Sequence, residues 1–336
     1  MKILENYSLL KHNTFGLDVK TRWFVEYENE SDLQKLLSDE YFYSLPFLHI
    51  GQGSNLLFLD DYPGIIIHSL IQSIKVVKED DNFVWVEAGA GIEWDNFVAY
   101  CVDNDWGGIE NLSLIPGEVG ASAVQNIGAY GVEACDTITK VNAYNVETGE
   151  KETFQNEDCE FAYRHSIFKE EKYRGKYFIT SVVYKLSKQP VYNLEYGNLK
   201  ETLADKPVNL KRIREAVVSI RESKLPDPEK QGNAGSFFMN PYISIAHYES
   251  LKKKYPDMPH YPVNREVVKI PAAWLIDRCG LKGKAMGGAA IHEKQPLVIV
   301  NRGSATANDI ASLASLVYDG VKGKFGIELQ REVLFV

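Results

Sequence analysis

The sequence is poor in cysteine. Its 336 residues include four, at Cys101, Cys135, Cys159 and Cys279, and no two of them are close together. A zinc site needs closely spaced pairs of cysteine or histidine, and a disulfide-stabilised domain needs a higher density of cysteine. We therefore expect free thiols in the core of a protein from a reducing compartment, and no metal ion.

Long apolar runs and an excess of positive charge are also missing. No segment reaches the roughly 18 apolar residues of a membrane-spanning helix, and the opening stretch MKILENYSLLKHNTFG lacks a small-residue cleavage site. The 37 Lys and Arg against 46 Asp and Glu give a formal charge of −9, which does not attract nucleic acid or anionic membranes. We expect a cytoplasmic protein in which a few local cations and backbone NH groups hold any phosphorylated ligand.

Internal repeats are absent, and β-branched runs alternate with helical patterns, which predicts a mixed α/β or α+β protein. With 45% apolar residues, the chain can bury the cores of two or three domains. Predicted strands cover 45–50, 56–59, 65–67, 83–88 and 326–336, and predicted helices cover 93–102, 210–223 and 306–322. The last helix has the clearest pattern, with one apolar stripe and a start that resembles a capping box, from residues Ile310, Leu313, Val317, Val321, Thr306 and Asp309.

The first candidate site is Gly51-Gln52-Gly53-Ser54-Asn55, between two predicted strands. Its glycines would let backbone NH groups approach a phosphate, and Ser54 and Asn55 add side-chain donors. It is not the dinucleotide-binding fingerprint, because position 56 is leucine and a strand rather than a helix follows. An ordinary turn and a phosphate-binding loop both stay open as interpretations.

The second candidate is the segment from Asn111 to Gly131, which mixes glycines with other small residues. Such residues predict little regular secondary structure unless a ligand fills the space, and Ser122, Gln125 and Asn126 supply polar side chains. A pyrophosphate, a ribose and a flat ring would suit the segment. Its branched apolar residues favour this interpretation over a freely solvated loop.

Arg164 lies among aromatic residues, beside Tyr163. An arginine there either pairs with a carboxylate or stabilises negative charge on a substrate oxygen. Both interpretations stay open.

Ser236 and Glu332 are candidate acid–base groups. Ser236 lies in a predicted turn of small residues anchored by Phe237 and Phe238, without the Gly-x-Ser-x-Gly elbow of a nucleophile. Its hydroxyl either forms hydrogen bonds within that turn or donates a proton in a reaction. Glu332 lies in the last predicted strand, on the face of Leu334, as a solvent-facing carboxylate or an acid–base group.

Together these segments resemble the UDP-N-acetylenolpyruvoylglucosamine reductase (MurB) family, of the longer type with a mobile tyrosine loop. The similarity runs nearly end to end. Its motifs, in the family's order, are Asn13-Thr-Phe-Gly16, Gly51 to Leu57, Ile115-Pro-Gly117, Gln125 to Gly131, Tyr163-Arg164, Lys224-Leu-Pro-Asp-Pro228, Gly232 to Asn240, Ala273-Trp-Leu-Ile276, Gly287-Gly-Ala-Ala290 and Glu332. Glu118 and Met239 depart from the pattern: the first adds a negative charge, and the second replaces a lysine of some relatives.

The resemblance implies an α+β fold of three domains. Two form an FAD-binding module of the vanillyl-alcohol-oxidase/PCMH type, over 1–70 with 325–336 and over 71–205, and an α+β substrate-binding domain covers 206–324. FAD would be bound non-covalently, with NADPH as co-substrate. The implied FAD-binding positions are Gly51, Gly53, Ser54, Asn55, Ile115, Pro116, Gly117, Ser122, Gln125, Asn126, Gly128, Ala129 and Tyr130.

The resemblance also implies reduction of UDP-N-acetylglucosamine enolpyruvate to UDP-N-acetylmuramate, a step in peptidoglycan precursor synthesis that serves cell shape and division. Flavin N5 would deliver hydride to C3 and Ser236 a proton to C2, while Arg164 and Glu332 stabilise enolate-like charge. Glu332 can do so only when protonated or through a hydrogen bond. The implied substrate-binding positions are Tyr130, Tyr163, Tyr196, Lys224, Asn240, Tyr261, Lys282 and Gln295. We expect a monomer without nucleic-acid or membrane partners.

Two other functions stay open. One is a flavin oxidase on the same scaffold, a class in which many members attach FAD through histidine or cysteine. His49 and His68 flank the first glycine loop, although both fall in predicted strands. The other is a nucleotide-sugar binding protein in which Ser236 and Glu332 are structural.

Overall fold

The structure, a computed structural model, describes residues 1–195, 198–203 and 207–336. The strands are β1 (Lys2–Ser8), β2 (Lys20–Tyr27), β3 (Phe47–Ile50), β4 (Leu56–Leu57), β5 (Tyr62–Ser69), β6 (Ile74–Glu79), β7 (Phe83–Gly89), β8 (Gly128–Ala129), β9 (Val132–Glu133), β10 (Ile138–Asn145), β11 (Lys151–Gln155), β12 (Tyr177–Ser187), β13 (Asn233–Ser236), β14 (Tyr242–Ser244), β15 (Tyr261–Pro262), β16 (Val267–Lys269), β17 (Ala285–Met286), β18 (Ala289–Ile291), β19 (Val298–Asn301) and β20 (Leu334–Phe335). The α-helices are α1 (Glu30–Leu37), α2 (Trp94–Asp103), α3 (Val119–Gln125), α4 (Leu199–Leu203), α5 (Leu210–Lys224), α6 (Ile245–Lys252), α7 (Ala272–Arg278) and α8 (Ala307–Phe325). This mixture of helices and strands confirms the predicted α+β class. Across the described ranges, no helix combines the length and apolar character needed to cross a membrane.

The chain divides into two compact units. Unit 1 comprises Met1–Ser8, Lys20–Gln52 and Tyr62–Ser223, and unit 2 comprises Leu9–Val19, Gly53–Asp61 and Lys224–Val336. Each unit therefore draws on three separate stretches of chain. The three-domain boundaries given above stay a prediction.

Unit 1 is built on a mixed sheet and an antiparallel sheet. The mixed sheet has the order β1-β2-β5-β3, with β5 parallel to both of its neighbours. The antiparallel sheet has the order β11-β10-β12-β7-β6. Residues 178–184 of β12 are all buried, which is the pattern of a strand covered on both faces.

The two sheets of unit 1 share buried side chains. The cluster around Phe42 and Ile67 of the mixed-sheet region also takes in Tyr144 and Phe178 from the antiparallel sheet. Phe42 stacks on Phe47 with ring centroids 4.6 Å apart, and Phe178 meets Phe47 edge-on at 5.8 Å. Aromatic packing thus joins the sheets into one unit.

Unit 2 has a four-stranded sheet, β13-β19-β18-β17, and a three-stranded sheet, β14-β16-β15. A further pair joins β20 to β4 in parallel. The core packs α7 and α8 against buried residues that include Phe15, Leu57 and Phe237. Two short N-terminal stretches therefore complete a core that is otherwise C-terminal.

Helix α8 matches its prediction closely. Thr306 is the N-cap, its hydroxyl accepts from Asp309 N at 3.1 Å, and the Asp309 carboxylate accepts from Thr306 N at 2.9 Å. The predicted apolar stripe is buried. The helix runs three residues beyond the predicted end, to Phe325, and stops at Gly326, whose φ of 65° suits glycine.

The predicted terminal strand over 326–336 is wrong. Only β20 pairs in a sheet, and Arg331 makes an isolated bridge with Phe238. Alternating exposure ends where exposed Gln330 is followed by exposed Arg331. The backbone there bonds to the stretch after β13, so Glu332 does not share a regular strand face with Leu334.

The expectation of little regular structure over 111–131 is also wrong, because α3 forms inside it. Its small residues serve packing. A Cβ on Gly120 would lie 2.9 Å from the Cβ of Ala90, which is closer than side chains tolerate. Helix α3 thereby sits tightly on the connection after β7.

We expect Thr306→Ala to destabilise the protein by about 1 kcal/mol, because it removes the N-cap acceptor of α8. Urea denaturation of the flavoprotein would measure the change. Ser304→Ala, at an exposed position two residues earlier, is the matched control and should shift the midpoint little. Equal effects of the two substitutions would contradict the capping role.

Candidate active site

The segment Leu114 to Gly131 in unit 1 has unusual backbone geometry. Three of its non-glycine residues are left-handed, Leu114 with φ 58°, Asn126 with φ 45° and Tyr130 with φ 49°. Gly117 has φ 122°, which only glycine adopts without strain. Left-handed non-glycine residues cost about 1–3 kcal/mol each and cluster at ligand clamps. The segment is therefore held in its conformation by its surroundings.

Charged side chains hold both backbone groups of Leu114. The Asp95 carboxylate accepts a hydrogen bond from Leu114 N. It also accepts from Nη1 and Nη2 of Arg214, at 2.6 and 2.8 Å. Arg221 Nε donates to the Leu114 carbonyl at 3.2 Å. Burial alone would raise the pKa of Asp95, but the bonds from Arg214 and Leu114 and the charges of both arginines hold it below its usual range. Helices α2 and α5 are thus tied together at Leu114.

Glu118, unexplained by the sequence, belongs to a buried charged cluster. Its Oε1 lies 2.8 Å from Nε2 of His68, and Nδ1 of His68 lies 3.5 Å from Oε1 of Glu26. Burial alone would lower the pKa of His68, but the two flanking carboxylates outweigh it and keep the pKa above its usual value. The Glu118 carboxyl group is therefore paired with the His68 ring, and burial raises the pKa of Glu118 as well.

The same region joins the two predicted flavin loops. Gln52 Oε1 accepts from Gly117 N at 3.0 Å. A Cβ at Gly51 would lie 3.0 Å from Oε2 of Glu118, so glycine there leaves room for the carboxylate. The loop after β3 and the start of α3 are held side by side within unit 1.

Two side chains predicted to bind FAD are occupied by the protein itself. Ser122 is 1% exposed, and its hydroxyl lies 2.7 Å from that of Tyr184. Asn126 Nδ2 donates to the Glu133 carboxylate and the Ala162 carbonyl, both at 2.9 Å. A role for either residue in cofactor binding would therefore go through backbone atoms or through the shape of the segment.

Arg164 occupies the third position of a turn closed by reciprocal backbone hydrogen bonds between Ala162 and His165. Its φ is 55°, at a position where type II turns favour glycine. Its Nη2 donates to the Gly128 carbonyl at 2.9 Å, and the guanidinium lies 5.2 Å from the Tyr163 ring. A Cβ on Gly128 would lie 3.2 Å from Nη1, so glycine allows the arginine to lie on the segment.

Unit 2 brings Ser236 and Glu332 next to each other. Glu332 N donates to the carbonyl of Phe237, the neighbour of Ser236, at 2.9 Å. Asn55 Nδ2 donates to the Glu332 carbonyl at 3.0 Å. Ser236 is the last residue of β13, rather than part of a turn as predicted. The backbones of two predicted catalytic residues and one predicted FAD-binding residue are therefore fixed together.

Most of the remaining predicted residues lie at accessible positions. In unit 2, Lys224, Tyr261 and Lys282 are exposed, and Asn240 and Gln295 are half-buried. In unit 1, Tyr130 and Tyr163 are half-buried, as are Ile115 and Ala129, and Pro116 is exposed. Ser54 is half-buried and Gly53 is buried in unit 2. Tyr196 lies outside the described residues.

Four residues support the predicted site in ways that the sequence does not indicate. They are Asp95, Arg221 and His68, described above, and Lys169, whose Nζ donates to Gln125 Oε1 at 2.8 Å and to the Arg164 carbonyl at 2.7 Å. All act across turns or between distant elements, so spacing along the chain gives no signal for them. A charged residue near a predicted motif was the one available hint, at Lys169.

Unit 1 suits a flavin cofactor. The left-handed residues Leu114, Asn126 and Tyr130 lie in the same segment as Gly117 and Gly128, and residues held in such conformations cluster at ligand clamps. In the ranges that the structure describes, no three or more His, Cys, Asp or Glu residues are grouped to hold a metal ion.

Comparison with known proteins agrees with this fit. A family model described as an FAD binding domain matches residues 21–154. The structure of 4-ethylphenol oxidase from Gulosibacter chungangensis aligns with a TM-score of 0.51 and 11% identity, over 97% of this chain and 83% of that one, a likeness of fold alone. The chain is therefore an FAD-binding protein of the vanillyl-alcohol-oxidase/PCMH fold type.

The C-terminal domain model of UDP-N-acetylenolpyruvoylglucosamine reductase matches residues 227–336. A Bacteroides fragilis protein of that name is 50% identical over 333 residues, 99% of each chain. The chain belongs to the UDP-N-acetylenolpyruvoylglucosamine reductase family and is an oxidoreductase. A MurB crystal structure from Thermus caldophilus shares the fold, with a TM-score of 0.69 and 23% identity over 99% and 98% of the two chains.

We expect Asp95→Asn to cost about 2 kcal/mol at neutral pH, because it removes a charged acceptor from Arg214 and Leu114. The pKa of Asp95 is lowered by folding, so its contribution is present above the unfolded-state pKa of about 3.9 and is lost as pH falls through the lower folded-state value. Urea titrations at a series of pH values would measure the difference between variant and parent.

Asp103→Asn is the matched control, since Asp103 and Lys211 form an exposed ion pair between the same two helices at 3.2 Å. Exposed pairs contribute about 0–1 kcal/mol. A stability difference for Asp95→Asn that persists unchanged at pH 2 would contradict the ionic role of Asp95.

Proposed function

We propose that this chain catalyses the NADPH-dependent reduction of UDP-N-acetylglucosamine enolpyruvate to UDP-N-acetylmuramate, as a cytoplasmic monomer in peptidoglycan precursor synthesis. The observation that carries the proposal is 50% identity along 99% of the chain to a reductase named for this substrate. The strained, tightly supported backbone around the motif residues adds to it, because such geometry is kept where function needs it.

FAD, when bound, supplies the chemistry of hydride transfer from NADPH to C3 of the enolpyruvyl group. We assign its binding to Gly51, Gly53, Ser54 and Asn55, and to the segment from Ile115 to Tyr130. The chain's contribution is a fixed cradle. Gln52 and Glu118 keep the first loop against the second through the contacts with Gly117 and Gly51.

Hydride addition to C3 leaves enolate-like negative charge on the substrate. We assign the stabilisation of this charge to Arg164 and Glu332. The bond of Arg164 to the Gly128 carbonyl and its contact with the Tyr163 ring fix its guanidinium before the substrate arrives. Preorganised charge of this kind stabilises a transition state without reorganisation cost. Glu332 is assigned the same role, which a carboxyl group performs only when it carries a proton or is bridged to the substrate by a hydrogen bond.

We assign the protonation of C2 to Ser236. A serine hydroxyl is a weak acid, so its alignment must compensate. Alignment is available because Ser236 ends a strand and the next two residues, Phe237 and Phe238, are buried. Glu332 N, bonded to the Phe237 carbonyl, holds the second predicted catalytic residue beside it.

Substrate binding is assigned to a mixture of tyrosines, cations and amides rather than to a broad basic surface. Lys224 offers an ammonium to the diphosphate, which suits a chain of formal charge −9. The full proposed set is Tyr130, Tyr163, Tyr196, Lys224, Asn240, Tyr261, Lys282 and Gln295.

Ser236→Ala should separate the two halves of the reaction. Bleaching of the yellow protein by NADPH should stay at the parent rate, because Ser236 has no part in that step. Anaerobic recolouring by the enolpyruvyl nucleotide should slow by about 10²–10⁴, the usual effect of removing a proton donor. Stopped-flow absorbance would measure both steps.

Ser315→Ala, at an exposed position on α8 where the serine hydroxyl donates to Ala311 O, is the control. Recolouring of Ser236→Ala at the parent rate would sink the assignment of Ser236 as acid. Failure of the parent protein to recolour with the enolpyruvyl nucleotide would count against the proposed substrate.

The oxidase alternative predicts covalent flavin, whereas we expect acid precipitation to release all FAD into the supernatant. The histidines near the first loop are already engaged: His49 Nε2 lies 3.0 Å from the Tyr27 hydroxyl, and His68 is paired with Glu118. Burial of the imidazole lowers the pKa of His49 to about 3, so the ring stays neutral. A yellow pellet would contradict the non-covalent assignment.

A further inference from the structure

We propose that Lys169 is a positioning residue that sets the geometry of Arg164. Its role deepens the proposed function and rests on it. Lys169 is the last residue of a short 3-10 helix, Ile167–Lys169, which directly follows the turn that carries Arg164. Lys169 lies outside the motifs that carry the family resemblance, and its role is inferred from two hydrogen bonds.

The first bond is to the strained residue itself. Lys169 Nζ donates to the Arg164 carbonyl at 2.7 Å. Arg164 has φ 55°, a conformation that its own side chain disfavours. An ammonium on the carbonyl is a charge-assisted hydrogen bond, stronger than a neutral one, so it offsets part of the cost of the left-handed backbone.

The second bond reaches the predicted flavin segment. The same Nζ donates to Oε1 of Gln125, the last residue of α3, at 2.8 Å. Beside it, Ser166 Oγ donates to the Val124 carbonyl at 2.7 Å, and Asn126 Nδ2 donates to the Ala162 carbonyl at 2.9 Å. The turn is therefore tied to the end of α3 at three points, of which Lys169 alone bonds to Arg164.

These contacts fix the origin of the guanidinium as well as its tip. Arg164 Nη2 is held by the Gly128 carbonyl, but a bond at the tip cannot define the direction of a long side chain whose backbone is free to relax. With Lys169 absent, the left-handed residue can return to a commoner conformation, and the guanidinium moves away from the developing charge. A displacement of about 1 Å can slow a reaction by about 100-fold.

Lys169→Met tests this in the FAD-loaded protein, since methionine keeps the length and removes the ammonium. We expect NADPH bleaching within about twofold of the parent and recolouring by the enolpyruvyl nucleotide slower by about 10–100-fold. The effect should fall on the rate at saturating substrate rather than on the half-saturating concentration. Lys169→Arg, which keeps charged donors, should recover most of the rate. Lys172→Met, an exposed lysine beside Tyr173, is the matched control.

A double variant separates action through Arg164 from a general loss of structure. In an Arg164→Gln background, adding Lys169→Met should slow recolouring by no more than about twofold, because the residue acts through Arg164. Hydrogen–deuterium exchange of the peptide spanning 162–168 should be faster in Lys169→Met than in Lys172→Met. Lys169→Gln gives a second variant if the methionine form folds poorly.

The outcomes distinguish the two levels of the proposal. Parent-like recolouring of Lys169→Met, or a full multiplicative loss in the Arg164→Gln background, would overturn the role of Lys169 alone. Parent-like recolouring of Arg164→Gln would overturn the assigned role of Arg164, and with it the inference. Slow recolouring of both single variants, with no further loss in the double variant and rescue by Lys169→Arg, supports it.

Discussion

Unit 1 depends on backbone held in left-handed conformations at Leu114, Asn126, Tyr130 and Arg164. Each such residue costs about 1–3 kcal/mol, which is large against a typical net stability of about 5–15 kcal/mol. The cost is tolerated because charged or amide side chains bind the same stretches, including Asp95 at Leu114 and Lys169 at Arg164. The segment thus has its shape before any ligand binds. Hydrogen bonds from surrounding side chains offset the cost of its left-handed residues.

The buried cluster of Glu26, His68 and Glu118 imposes a similar constraint. Removing one partner of a buried ion pair leaves an uncompensated charge and costs about 3–5 kcal/mol, whereas an apolar replacement of the whole set is often neutral. The pair is therefore poorly explained by stability alone. The contact between His68 and Glu118 connects β5, beside the first glycine loop, to the residue that precedes α3. It fixes the position of α3 along β5 more sharply than apolar packing would.

Local patterns predicted what local forces decide. The stripe and capping box of α8 and the strand position of His49 follow from periodicity and caps, and the ordered motifs identified the family. The failures have one cause. The prediction of little regular structure over 111–131 is wrong because Gly120 lets α3 pack against Ala90, and the predicted terminal strand is wrong because that segment bonds to residues near Ser236. The supporting contacts join different helices, strands and turns. They are made by Asp95, Arg221, His68 and Lys169. Local patterns in a single sequence do not show which distant residues come together.

The composition of unit 2 has a consequence for synthesis on the ribosome. Phe15 and Leu57 belong to its core, and β4 pairs with β20 near the end of the chain. Chain growth of about 5–20 residues per second leaves these stretches without their partners until residues 224–336 have been synthesised. A fragment limited to the matched C-terminal domain, 227–336, would lack Phe15 and Leu57 in its core and would leave β20 without its partner strand β4. Unit 2 can therefore close only after β20 has been synthesised.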